Sequence, residues 1–103
     1  MAAPPVTPVA GDASVVVAGG TPVIAAVPNP QGGFLVNPSA AADQGLANAE
    51  TLYVDPVGAA ALAANGTTFA LAPGQSWPLI PGQTTNTSVN AASNGHKFSI
   101  VKW

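Results

Sequence analysis

Two Pro-Gly pairs, eight residues apart in the stretch 67–82 (TTFALAPGQSWPLIPG), constrain this chain more than any other feature. Proline presets φ at the first corner of a β-turn and glycine supplies the positive φ of the second corner in a type II turn. The chain must therefore bend at Ala72-Pro73-Gly74-Gln75 and again at Ile80-Pro81-Gly82-Gln83. The large apolar residues Phe69, Leu71, Trp77, Leu79 and Ile80 fall between and beside these corners. A spacing so short accommodates a strand and nothing helical, so the stretch predicts a meander with further strands added to it.

The remaining segments carry the same punctuation. The β-branched runs 14–18 (SVVVA) and 21–27 (TPVIAAV) are divided by Gly19-Gly20 and predict a hairpin, with Pro22 restricting the second strand to an edge or to its first position. Phe34-Leu35-Val36 is a short strand ended by Asn37-Pro38. The Ala-rich run 39–49 offers Ser39 as a cap but is interrupted by Gly45, which predicts a surface loop with at most one helical turn. In 50–55 (ETLYVD) Leu52 and Val54 alternate with Thr51, Tyr53 and Asp55, the period of a half-buried strand. Asn65-Gly66 predicts a hairpin placing AALAA against TTFAL, and the strands 87–91 and 97–103 close the chain around a turn at Ser93-Asn94-Gly95. In the last strand Phe98 and Ile100 share a face with Lys102, opposite Ser99, Val101 and Trp103. The expected fold is all-β, a single small antiparallel β-sandwich or jelly roll of seven to nine short strands spanning 14–103. Residues 1–13, with Pro4, Pro5 and Pro8, predict an extended N-terminal arm.

The 103 residues allow one core, and without cysteine no disulfide or thiolate site supports it. Charged residues make up 6% of the chain, against roughly 25% in an average soluble domain. Two lysines cannot supply the phosphate contacts of nucleic-acid binding, and the amino terminus lacks the basic start and apolar stretch of a signal peptide or membrane span. A surface so poor in charge predicts life inside an assembly. The interface candidates are Pro4, Pro5, Val6, Pro8 and Val9 of the arm, Tyr53, and Trp103 as a terminal anchor.

Catalytic chemistry finds no spacing motif. The only histidine, His96, stands beside a turn, and Glu50 and Asp55 read as two solvated strand ends on opposite faces. One imidazole without thiolates makes no zinc site, no calcium-loop pattern occurs, and no catalytic residue, metal or cofactor is expected. Tyr53, Trp77 and Trp103 define a rival reading, a carbohydrate-stacking platform, although Trp77 is expected in the core.

Four phrases, GGFLVNPS, LYVDPVG, FALAPGQSWPL and SVNAASNGHKFSIV, carry a resemblance that runs from about Gly33 to Trp103. The chain there resembles small β-sandwich proteins of tailed-bacteriophage virions, of the capsid decoration, cement or head-fibre type. The resemblance implies a non-enzymatic virion protein, made in the bacterial host cytoplasm and bound in many copies to a shell. Its expected partners are the major capsid protein or another virion protein, and further copies of itself as a trimer or dimer. The alternative is a receptor- or carbohydrate-binding module on a fibre or tail, or a head-fibre base. No functional residue carries over from the resemblance, and the arm is not part of it.

Overall fold

The structure, a computed structural model, describes residues 14–102; the arm residues Pro4, Pro5, Val6, Pro8 and Val9, and Trp103, lie outside the described residues. The elements follow in chain order as β1 (Ser14–Val17), β2 (Val23–Ala26), β3 (Gly33–Val36), α1 (Ala41–Gln44), β4 (Leu52–Asp55), β5 (Phe69–Leu71), β6 (Ser76–Pro78), β7 (Thr87–Asn90) and β8 (His96–Lys102). They form two four-stranded sheets, here called sheet one (β1-β8-β3-β6) and sheet two (β2-β7-β4-β5), and every pairing is antiparallel. The first strand pairs with the last, the second with the seventh, the third with the sixth and the fourth with the fifth.

Alternation along the strands creates the core. Val17, Leu35, Phe98 and Ile100 project inward from sheet one and meet Leu52, Val54, Leu71 and Val89 from sheet two in one apolar cluster. The register of β2 with β7 shifts between Ile24 and Ala26, so the consecutive residues Ala25 and Ala26 are both buried. Among the described residues Phe98 is the only phenylalanine, tyrosine or tryptophan fully inside, and such a residue stabilises the fold by about 1.5–3 kcal/mol relative to exposure.

Both Pro-Gly turns form as expected. The amide of Gln75 donates to the carbonyl of Ala72 at 3.0 Å, that of Gln83 to Ile80 at 3.2 Å, and Gly74 and Gly82 have φ of 89° and 74°. They do not join paired strands, however. β5 belongs to sheet two and β6 to sheet one, so the first turn carries the chain between sheets, and the second returns it from β6 toward β7. The predicted meander is thus a pair of inter-sheet corners. The same correction applies at Gly19-Gly20, where Ala18 and Thr21 form a single bridge before β1 and β2 separate into different sheets.

AALAA is not a strand. β5 pairs with β4, and Asn65, instead of turning a hairpin, accepts the amides of Thr67 and Thr68 on its Oδ1 at 3.1 and 2.9 Å. The helical turn α1 occurs within the Ala-rich run as expected, but its N-cap is Ala40, without a side-chain cap, rather than Ser39.

Candidate interaction surfaces

The outer faces of the two sheets are finished differently. Leu52, Val54 and Val89 face inward, so Tyr53, Asp55, Ser88 and Asn90 face outward on sheet two. The connection 56–68 folds back over this face and is fastened to it. Ser88 Oγ accepts the amide of Ala60 at 2.7 Å and donates to the carbonyl of Gly58 at 2.8 Å, while Asn90 Nδ2 donates to the carbonyl of Ala60 at 3.0 Å. Asp55 holds both ends of the connection. Its Oδ1 accepts the amides of Val57 and Gly58, each at 2.9 Å, and its Oδ2 accepts the hydroxyls of Thr67 at 2.8 Å and Thr68 at 2.9 Å.

Asp55 is therefore not a solvated strand end: it is 2% exposed. Burial pushes its carboxyl upward, but the Val57 amide, the two threonine hydroxyls and the Gly58 amide together hold it below the usual carboxylate value. With both oxygens accepting two hydrogen bonds each, the carboxylate is occupied structurally. Glu50 is half-buried, and both its carboxylate oxygens accept from Ser93 Oγ at 2.8 Å.

Between the folded-back connection and the outer side of β2 lies an open concavity of about 610 Å³, walled by Pro22, Ile24, Val57, Thr84, Thr85 and Asn86. None of the residues lining it is charged or aromatic. Tyr53 stands on the outer side of sheet two, half-buried, across from Ala70 and Asn90. Trp77 is opposite the buried Leu35 and packs against the core, with its ring 4.9 Å from that of Phe69. The two aromatics close the side of the molecule where the edge strands β5 and β6 lie. Tyr53 and Trp77 thus occupy different faces and do not make one stacking platform.

Sheet one has no such cover among the described residues. Cross-strand register places Val101, Phe34 and Pro78 in one row, Ser99, Val36 and Ser76 in the next, and Val16 beside Lys97. Val16 is 52% and Phe34 44% exposed, and among the described residues Lys97 is the one charged residue on this face. Among the described residues its β1 edge has no strand partner either. β6 ends in Pro78, β2 follows Pro22 and carries the bulge, and β5 is three residues long, whereas β1 presents Val15, Val16 and Val17 with no proline, lysine or bulge.

Of the sequence-predicted interface residues, only Tyr53 can be placed. Missed altogether was a buried polar cluster of Asn37, Gln44 and His96, each 0% exposed. A signal for His96 was present: starting the last strand one residue earlier puts it on the face of Phe98 and Ile100. Nothing local marks Asn37 or Gln44. No group of three potential metal-ligating side chains occurs among the described residues, and no helix there is long and apolar enough to cross a membrane. Comparisons with known protein families, with curated proteins and with solved structures found no match.

Proposed function

We propose that the two sheets form a jelly roll and that the chain is a non-enzymatic bacteriophage virion protein, a decoration or cement protein that binds a shell in many copies. The pairing of first strand with last, second with seventh, third with sixth and fourth with fifth is what results when one long antiparallel ribbon is rolled into two sheets, an architecture used by viral capsid domains among others. The observation that carries the reading is the inequality of the two faces. Among the described residues the chain spends a thirteen-residue connection and a buried carboxylate on covering β4 and β7 of sheet two, and leaves Val16, Phe34 and Pro78 exposed and Val36 and Val101 half-buried on sheet one. A face with Lys97 as its one charged residue among those described desolvates with few ions stranded, which suits a partner surface in the major capsid protein, in another virion protein, or in further copies of this chain arranged as a dimer or trimer. Many weak contacts of this kind sum to firm attachment.

Imaging phage particles with and without the gene by negative stain tests the proposal. The expected result is regularly spaced surface density that disappears with the gene and returns on adding purified protein, but not on adding Phe34→Lys. Particles unchanged by the deletion overturn it. The rival reading, a glycan-binding module, requires exposed aromatics on one surface; a tryptophan fluorescence change on glycan titration would favour it instead.

A further inference from the structure

We propose that His96 is an acid-sensitive latch: its buried ring holds the segment 38–50, including α1, closed while neutral and releases it on protonation. The inference is independent of the virion reading. It begins with the orientation of Asn37. Asn37 Nδ2 faces the carbonyl oxygens of Glu50 at 3.0 Å and Leu71 at 2.9 Å, which can only accept, so the amide nitrogen belongs there. Asn37 Oδ1 then faces Gln44 Nε2 at 3.0 Å and His96 Nε2 at 2.9 Å. An amide oxygen can only accept, so Nε2 of His96 carries the hydrogen and Nδ1 is a bare lone pair.

That Nδ1 is buried and has no hydrogen-bond partner. Adding a proton there would create a charged donor with no acceptor inside the fold, a far costlier state than an idle lone pair. The charged group whose field reaches the ring is Glu50, which favours the imidazolium, but burial is the stronger effect and holds the ring below the ordinary histidine value. Lys97 alternates to the other side of β8, where its side-chain stem passes Gly45, Asp43 of α1 is exposed, and β1, opposite His96 through Val17, bears no charge.

Apart from the Glu50 carboxylate, which accepts from Ser93 Oγ at 2.8 Å, the side-chain hydrogen bonds of the segment 38–50 run through Gln44 and Asn37. Gln44 ties it together by donating to the carbonyls of Pro38 at 2.7 Å and Glu50 at 3.1 Å and by accepting the Glu50 amide at 2.8 Å, and this cluster meets the sheets through Asn37. α1 is four residues long with no side-chain cap, too short to persist alone. With the ring neutral when closed and free to ionise near 6.5 when released, closure is fully favoured above about pH 6.5, and the opening equilibrium rises by up to about tenfold per pH unit below it.

With a single histidine in the chain, its imidazole nitrogen resonances are unambiguous. Nitrogen-15 NMR should show the Nε2–H tautomer at pH 7.5 and a titration midpoint below 6.5. Hydrogen exchange, corrected for its intrinsic pH dependence, should show 38–50 opening progressively from pH 7 to 5 while β4 and β7 stay protected, and His96→Gln should remove that response. The opposite tautomer, a midpoint at or above 6.5, or an unchanged acid response in His96→Gln overturns the proposal. If the variant does not fold, the NMR titration of the wild-type protein decides alone.

Discussion

Asp55 stays ionised although it is nearly enclosed, because four donors converge on its two oxygens. Replacing it by Asn removes the charge that strengthens these bonds and turns a donor toward two hydroxyls, for an expected loss of about 1–3 kcal/mol in denaturant unfolding. Since the folded carboxyl lies below its unfolded value, its contribution is full above about pH 5 and is lost as the pH falls through 3.9 toward the lower folded value; Asp55→Asn should flatten that limb of the stability profile. Gly33 offers a second test. Its φ is 139°, and a Cβ there would stand 2.3 Å from the carbonyl oxygen of Val101 on β8. Gly33→Ala must therefore displace backbone as well as strain it, and a loss of about 1–3 kcal/mol is expected in thermal melts. Gly82→Ala, in open space at φ 74°, isolates the strain alone and should cost only about 1 kcal/mol.

Strands and turns were readable because their signals are local. The alternation of Leu52 with Val54 and of Phe98 with Ile100 gave the inward faces, and the two Pro-Gly pairs gave corners with the right dihedrals. Pairing was not readable, since a turn sets φ and ψ for two residues and says nothing about which strand lies across from the next. Hence Pro73-Gly74 looked like a reversal within one sheet and is a passage between two. The misreading of Asp55 has the same origin: its position on the strand was clear, but the cover comes from Thr67 and Thr68, twelve and thirteen residues later. The fastening of that cover can be tested through Ser88→Ala, which leaves the Ala60 amide without its acceptor and should cost about 1–3 kcal/mol, with hydrogen exchange rising first in 57–61.

Among the described residues, the contrast between the covered strands β4 and β7 and the outer face of sheet one allows stability and association to be tested separately. Val16→Lys and Phe34→Lys alter exposed positions and should change unfolding free energy by no more than about 0.5 kcal/mol. The same substitutions should weaken self-association or shell binding, read by sedimentation at increasing concentration, because a lysine must be desolvated wherever that face is covered. Phe98→Ala makes the converse control. It opens a cavity in the core and should cost about 3–5 kcal/mol, enough to remove much of a small domain's stability.

β8 lies between β1 and β3, so the strand furthest along the described residues is an interior member of its sheet. Without it, β1 has no strand partner among the described residues and β3 keeps half of its ladder, so sheet one is not complete before β8 is in place. Pairing residues 14–17 with residues 96–99 also makes closure slow, with refolding expected on the millisecond-to-second scale of proteins dominated by distant pairings.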